Sequence, residues 1–596
     1  MPIKLLVVAT LLAVDMHNTQ RSGAITKKET SLSSLPLQKN DVANARFVVG
    51  CSHREVNNRN PEYSNLPRRS PDDQQQMRMD EGILFEQGIF QQLCELHKVS
   101  PMREHHEPEG ATSSAMKRGD KIIIGPELPT INHRSGKPDI LVRHGDSPME
   151  NGLWAYIPID VKNSKALEGT RKARPMKVSQ LNSPWVSSAS EQNIGVGKPK
   201  EDHSLQLAHY WLMLVDLGHA PNIEPIAGII DSSCSVVWRD LDDGKDSFIA
   251  QSLAEWNERW AAITAMREGG ELRTRAVYRA ECEECPWHDI CENALIEEQH
   301  VSLVEGVGVV AVAKLADAGI ETIPQLAALD HSMLDANPTL PYFKGLERHV
   351  DAARVVLHGG TFPFSKRNAS LPHVPRADVE IDFDVENDDV LYLLGNYITQ
   401  KQPDGSYDNG KFVSFHYFDR SDPDEEGRQL AAFWKWLYDT VNETQAAGKT
   451  VAVYCYAGSF AEIPRMKEAS ARNSHVPGVP SIDEIANLAN EPWWVDMHLI
   501  VKELHWPTRK LGLKYVAKLS GFSWDAEDAG GGNSIVWYRQ ACDPSDPESA
   551  ALQAKLLRYN EDDVQATLYL RRWLHQGITG GDWTLQSVTT LPPPNA

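Results

Sequence analysis

Asp378-Val-Glu-Ile-Asp382-Phe-Asp384-Val-Glu386-Asn387 alternates acidic and apolar residues. On a strand, side chains two apart share a face, so Asp382, Asp384 and Glu386 point the same way. Tyr392-Leu-Leu-Gly395 continues the strand-like pattern, and far downstream Tyr559-Asn-Glu-Asp562-Asp563-Val-Gln-Ala566 opens a helical one. An acid-rich strand and an acid-bearing helix at the two ends of one stretch predict an α/β domain over 377–575. Between them lie two further acids of interest. Glu462 follows Tyr454-Cys-Tyr-Ala-Gly-Ser-Phe460-Ala, and Asp496 sits in Trp494-Val-Asp496-Met-His.

Upstream of this domain, residues 358–376 carry Gly-Gly, three prolines and several Ser, Lys and Arg, the composition of a linker. Residues 301–357 are expected to be helical, with Ala, Leu and Val at three- and four-residue spacing, broken by Gly319, Pro324 and Pro338. From 41 to 300 helix-like and strand-like stretches alternate, with Ser183 to Asp202 reading as a polar loop. Residues 576–596, ending in Leu-Pro-Pro-Pro-Asn-Ala, are expected to form a disordered tail. Residues 1–40 are expected to form a loose extension. The apolar run Leu5 to Val14 has the length of a signal-peptide core, but Asp15 follows at once and no clean cleavage site is present.

The whole chain has 596 residues and a formal charge of −22. That balance excludes a protein coating nucleic acid with a uniformly basic surface, though not a local basic channel. One such run is Lys165, Arg171, Lys172, Arg174 and Lys177 against the single acid Glu168. No apolar run reaches the ~20 residues of a membrane helix, so a cytoplasmic protein is expected.

Within 41–300, Lys137-Pro-Asp139-Ile-Leu-Val and Trp154-Ala-Tyr-Ile-Pro-Ile-Asp160-Val-Lys162 read as strands flanked by acids. Asp160 and Lys162 are two apart and share a face. Two carboxylates with a nearby lysine suit phosphodiester hydrolysis. The acids hold Mg²⁺ or Mn²⁺, which polarises the phosphate and lowers the pKa of a bound water, and the lysine orients that water. Gln206 and Tyr210 stand one helical turn apart. Eight cysteines are too few for a disulfide scaffold at this length. Three of them, Cys282, Cys285 and Cys291, lie at C-x2-C-x5-C spacing, which favours a metal or cluster site. A [4Fe–4S] cluster needs a fourth thiolate, for which Cys51 at the start of the same region is the best choice. Zinc, with His288 or a fourth cysteine, and ordinary thiols are the alternatives. Cys94, Cys234, Cys455 and Cys542 stand alone and read as bystanders.

Taken in order, Cys51, Gly82-Ile-Leu-Phe-Glu86, Asp139, Asp160-Val-Lys162, Gln206-Leu-Ala-His-Tyr210 and the three-cysteine loop resemble the RecB-type PD-(D/E)xK nucleases that carry an iron–sulfur staple. That resemblance implies a restriction-endonuclease-like core over 41–300. It implies Glu86, Asp139 and Asp160 at a metal, Lys162 on the nucleophilic water, Gln206 and Tyr210 in support, and a structural cluster on Cys51, Cys282, Cys285 and Cys291.

Gly306-Val-Gly308-Val-Val-Ala311 could be taken for a dinucleotide fingerprint, but a further turn and helix follow where that motif needs a βαβ unit. The stretch resembles instead a helix–hairpin–helix module, whose glycine turn offers backbone N–H groups to a phosphate. Gly195-Val-Gly197-Lys198-Pro199 lacks the first Gly and the Ser/Thr of a P-loop, so no ATP-driven motor is expected.

The strand and helix motifs of 377–575 resemble RNase H-like exonucleases of the DEDDy type. Residue by residue this implies Asp384, Glu386 and Asp563 at metal ions and Tyr559 on the attacking water. The family's middle Asp motif is absent, leaving Glu462 or Asp496 as its substitute. Apart from its two ends, the chain resembles RecB-like nucleases built from these three modules. The implied function is metal-dependent hydrolysis of DNA, at single strands or ends, in repair, recombination or defence, with a helicase or repair protein as a possible partner. A catalytically inactive DNA-binding or assembly protein, and an RNA-processing exonuclease, are the alternatives.

Overall fold

The computed structural model describes residues 41–172, 175–194, 196–243, 246–270, 274–331, 345–525 and 533–592. The expected N-terminal extension and Arg174 lie outside the described residues, as do the side chains of Arg171 and Lys172. The chain forms two compact units. The first comprises the residues to Arg69, Gln76–Arg275 and Cys285–Trp287; the second comprises Ser70–Gln75, Ala276–Glu284 and His288–Ala596. The three-cysteine loop is thus divided between them. None of the eight cysteines is in a disulfide.

The first unit is built on a seven-stranded mixed sheet. Its strands are β1 (Ile122–Ile124), β2 (Ile140–His144), β3 (Ala155–Val161), β4 (Met176–Gln180), β5 (Ser190–Gln192), β6 (Ile226–Ile230) and β7 (Ser235–Asp240), in the order β1-β2-β3-β6-β7-β4-β5. Only β3 and β6 are parallel; a parallel pair needs a crossover, and helix α2 (Glu201–Asp216) lies on it. Every residue of β3 is buried, Asp160 included. Helix α1 (Asp73–His97) contributes Ile89 and Leu93 to the core, and α2 contributes Leu207, Ala208, Tyr210 and Trp211. Helix α3 (Phe248–Arg267) packs Trp256 and Trp260 on Phe47. The stretch expected as a loop over 183–202 holds β5 and a second short strand, Val196–Pro199, paired with Leu167–Lys172. All three residues of β5 are exposed, so no apolar alternation announces a strand that edge pairing creates.

In the second unit, α4 (Val309–Asp317), α5 (Ile323–Ala327) and α6 (Leu346–His358) share a core of Val304, Val307, Leu315, Leu326, Leu346 and Val350. Gly306 adopts φ +78°, and a Cβ there would come within 2.7 Å of the Arg348 guanidinium. Gly308 precedes α4, leaving Val309 and Val310 exposed at its first turn.

The larger part of this unit carries a five-stranded sheet of β8 (Val379–Asn387), β9 (Leu391–Gln400), β10 (Lys411–His416), β11 (Val451–Cys455) and β12 (Trp494–Asp496). The order is β10-β9-β8-β11-β12, with an antiparallel meander on one side and β8, β11 and β12 parallel on the other. The alternation along β8 sorts its two faces. Ile381 and Phe383 pack with Leu430, Phe433 and Leu437 of α7 (Glu425–Ala446). Glu380, Asp382, Asp384 and Glu386 turn toward α11 (Ser549–Thr579). There Arg571 binds Asp382 through two nitrogens, at 2.7 and 2.8 Å, and Glu380 at 2.7 Å, with no side-chain exposure in any of the three. Asp382 is therefore a structural anchor.

Two expectations at the edges of this domain are corrected. The stretch read as a linker contributes the strand Phe364–Ser365, which pairs with Leu504–His505 and with Gln586–Ser587. The tail expected to be disordered from 576 is instead folded through residue 592. Helix α11 runs to Thr579, Trp583 lies against Gly577 and Trp573, and Leu585, Val588 and Leu591 are buried. These apolar residues are too sparsely spaced to show a helical or strand period, which is why composition alone suggested looseness. Among the described residues, no helix is long and apolar enough to cross a membrane.

Candidate active site

Asp384 and Glu386 come from β8 and Asp563 from α11. Ligand atoms of the three carboxylates lie within 4.8 Å of one another, the one such group of His, Cys, Asp or Glu side chains among the described residues. Strand register explains the approach. Asp384 pairs with Gly395 on β9, and the missing side chain there leaves space for Asn560, whose amide donates to Asp384 at 2.9 Å. A Cβ on Gly395 would fall 1.6 Å from Asn560 Oδ1. Asn560, Asp563 and Tyr559 lie on one turn of α11, so the helix brings all three to the strand together.

Each member is held. Trp524 Nε1 donates to Asp563 at 2.6 Å. Ser534, on α10 (Asn533–Ala541), and Asn560 stand close enough to Glu386 to favour its charge. Lys514, on α9 (Leu513–Leu519), donates to the Tyr559 hydroxyl, which stands close enough to Asp563 to favour its charge. Burial and mutual repulsion dominate the electrostatics. Burial, then Glu386 and Asp563, push Asp384 well above the usual carboxylate range. Burial and Asp563 push Glu386 up to about 8. Asp563 is also raised, by burial, against the pull of Lys514. Burial raises the Tyr559 phenol beyond its ordinary value, with Glu386 and Asp563 adding to it. Carboxylates crowded this way hold protons until a cation relieves them, which is the chemistry of a divalent-metal site.

The two acids proposed for the missing middle motif separate cleanly. Asp496 is occupied with the backbone: Oδ1 accepts from Ala457 and His498, and Oδ2 from Ser459. It shapes the turn after β11. That turn delivers Glu462, the first residue of α8 (Glu462–Arg472), which is 1 % exposed. Its carboxylate oxygens have no well-formed hydrogen bond among the described residues, the N–H groups of Tyr456 and Glu462 offering only marginal contacts. Burial pushes it up to about 8, and it adds to the repulsion on Asp384. It stands outside the close triad.

The first unit also brings its expected residues together. Asp139 immediately precedes β2, and Ile140 pairs with Ile159, which sets Asp139 beside Asp160. The Asp160 carboxyl lies close enough to disfavour the charge on Asp139. Val161 N–H donates to Asp139 at 2.7 Å, and Lys162 Nζ lies 2.5 Å from Asp160. Gln206 donates to the Tyr210 hydroxyl at 3.0 Å, and that hydroxyl donates to the Lys137 carbonyl at 3.3 Å. Burial, then Asp160, push Asp139 well above the usual range. Burial disfavours the Lys162 charge, but Asp160 and Asp139 outweigh it and hold the ammonium above its ordinary value.

Arg103, which sequence reading missed, decides the shape of this site. Its guanidinium bonds Glu86 and, at 3.0 Å, Asp139. Glu86 is thereby held on an arginine and does not close with Asp139 and Asp160 around one point. No motif spacing marks Arg103, because it lies in the short helical turn Met102–Glu104 between α1 and the sheet. His203, on α2, was also missed. Burial, followed by the charges of Arg239 and Lys162, lowers it to about 3, and Nδ1 has no partner among the described residues.

No curated protein matches the chain by sequence. Residues 378–575 match the RNase_H_2 family of the RNase_H superfamily. The matched segment begins at β8 and ends within α11, the two elements that supply the carboxylate triad. The second unit therefore carries an RNase H-like domain of the nuclease type, with an acidic site suited to a divalent metal.

Proposed function

We propose that the chain is a metal-dependent nuclease hydrolysing DNA phosphodiester bonds, at single strands or ends. The observation that carries this reading is the convergence of Asp384, Glu386 and Asp563 next to a tethered tyrosine. Those three carboxylates would hold Mg²⁺ or Mn²⁺, with buried Glu462 as an additional acid of the site. When bound, the metal polarises the phosphate and lowers the pKa of water. Tyr559 orients the attacking water, Asn560 fixes Asp384, and Trp524 fixes Asp563. Water adds to phosphorus, the bond to the leaving alcohol breaks, and the leaving oxygen takes up a proton.

The first unit fits a second site of the PD-(D/E)xK type, as its sequence resemblance implies. Asp139 and Asp160 would hold the metal, Lys162 would orient the water, and Gln206 and Tyr210 would support it. Glu86 would join once released from Arg103. Cys51, Cys282, Cys285 and Cys291 offer four thiols outside disulfides, a donor set suited to a structural [4Fe–4S] cluster. The Gly306–Gly308 turn ahead of α4 suits phosphate contact by a helix–hairpin–helix module. A cytoplasmic DNA repair, recombination or defence role, with a helicase or repair partner, accords with this combination.

Arg103 favours a second reading for the first unit alone. A site filled by a guanidinium can bind DNA without cutting it. The experiment that separates these readings uses protein purified without oxygen. Labelled single-stranded DNA, double-stranded DNA and RNA are incubated with Mg²⁺ or Mn²⁺, comparing wild type with Asp384→Asn and Lys162→Ala. Loss in Asp384→Asn assigns cleavage to the RNase H-like site, and loss in Lys162→Ala to the other. Cleavage untouched by both variants would remove both sites from the reaction, and DNA binding without any cleavage would leave the inactive assembly protein. Faster cleavage of RNA than DNA would point to RNA processing.

A further inference from the structure

Helix α11 carries a cation one turn out from Tyr559. Lys555, Tyr559 and Asp563 follow one another at four-residue steps and so lie along one stripe of the helix. Helix α10 repeats the arrangement. Ser534 stands at Glu386, and Trp537, one turn further on, packs edge-on against the Tyr559 ring with centroids 5.9 Å apart. The two outer residues meet: the Lys555 ammonium lies 3.6 Å from the centroid of the Trp537 ring. Trp537 is at the edge of burial and Lys555 is half-buried, so the pair forms a rim beside the triad.

This ammonium is left without an anion. Among the described residues no carboxylate pairs with it, and its helical neighbours Ala551, Leu552, Arg558 and Tyr559 include no acid. Arg558, the next cation along α11, is by contrast taken up by Asp525, Glu561 and Asp562. An aromatic face holds a cation in place without neutralising it. A polyanionic strand approaching three carboxylates, in a chain of charge −22, needs positive charge along its path. The helix rises about 12 Å over the eight residues from Lys555 to Asp563, which sets the cation beyond the phosphate under attack and within reach of another on the same strand.

We propose that Lys555, seated on Trp537, is a substrate-binding residue of the RNase H-like site, holding a backbone phosphate a few nucleotides away from the bond that is cut. The proposal deepens the nuclease reading above and rests on it. It names the substrate class of this site as a strand with several phosphates, in preference to a single phosphodiester.

The test uses the full-length chain with Lys162→Ala in the background, so that cleavage reports the RNase H-like site. Two substrates are compared with Mn²⁺ over a range of salt: a labelled single-stranded oligonucleotide, and the p-nitrophenyl ester of thymidine 5′-monophosphate, which has one phosphodiester and no further backbone. Lys555→Met keeps the aliphatic cover on Trp537 and removes the charge. It should lower kcat/KM for the oligonucleotide relative to the ester, with the loss appearing in KM. The log–log slope of the oligonucleotide kcat/KM against salt should become shallower by about 0.7, the share of one phosphate contact on a single strand. Lys555→Arg, which keeps the charge, should retain the slope, and thermal melting checks that each variant is folded. An unchanged slope and substrate ratio in Lys555→Met, or an equal loss of slope in Lys555→Arg, would overturn the role of Lys555 while leaving the nuclease reading standing. Oligonucleotide cleavage that persists when Asp384→Asn is added would remove the RNase H-like site from the reaction, and the proposal with it.

Discussion

The Asn560 side chain meets Asp384 at 2.9 Å over the bare backbone of Gly395, so a strand residue and a helix residue are joined only because the neighbouring strand has a gap. Gly395→Ala should close that gap. The new Cβ must displace Asn560 or move the strand, at a cost of about 1–3 kcal/mol by the usual penalty of overpacking. Activity of the RNase H-like site should fall at least about tenfold, about 1.4 kcal/mol of lost transition-state stabilisation. Melting and cleavage assays on the one variant check both.

Buried charge on the same strand should give effects of opposite sign. Arg571→Met leaves Glu380 and Asp382 without their buried partner, and breaking such a network costs about 3–5 kcal/mol. Asp384→Asn relieves repulsion from Glu386 and Asp563, so the metal-free protein should become more stable. Chemical denaturation of both variants without metal measures the two changes. A stabilised Arg571→Met would refute the anchoring role of the triad Arg571–Asp382–Glu380.

The raised carboxylates set a pH dependence. Glu386 titrates near 8 in the folded protein against 4.5 as a free carboxyl. Between those values the folded chain keeps a proton that the unfolded chain has released, so stability falls as pH rises through the window. Metal-free protein should melt at a lower temperature at about pH 8 than at about pH 6, read as wild type against Glu386→Gln to isolate this group. Mg²⁺ should restore more stability at the higher pH, because fewer protons compete with it for the carboxylates there.

Arg103 makes its own prediction. Its guanidinium bonds both Glu86 and Asp139, so a metal ion must compete with it. Arg103→Gln, placed in an Asp384→Asn background to silence the other site, should bind Mn²⁺ about tenfold more tightly, equivalent to about 1.4 kcal/mol. Unchanged affinity by calorimetry would show that the arginine does not contest the metal position.

Much of this was legible in the sequence, for a definite reason. Period-two alternation displays which residues share a strand face, and Asp384 and Glu386 do share one with Asp382. One turn of helix joins Tyr559 to Asp563, and one turn joins Gln206 to Tyr210. What alternation cannot say is which acids on a face meet a metal and which meet an arginine. Asp382 and Asp384 are equivalent by pattern, and Arg571 takes one of them. Nor does spacing reveal residues brought in by separate elements, such as Lys514, Trp524 and Arg103. The ends of the domain were misread because three two-residue strands carry too few side chains to show a period.

Those short strands limit where the gene can be cut. Phe364–Ser365 lies before the matched segment and Gln586–Ser587 after it, and the two pair in parallel. A fragment trimmed to 378–575 would leave Leu504–His505 with an open edge and uncover the ring of Trp573, against which Trp583 lies. Exposed edges and bare aromatic faces invite aggregation. An excised RNase H-like domain should stay soluble only if it keeps both flanks, from before Phe364 to beyond Leu591, and limited proteolysis of the full chain should spare both.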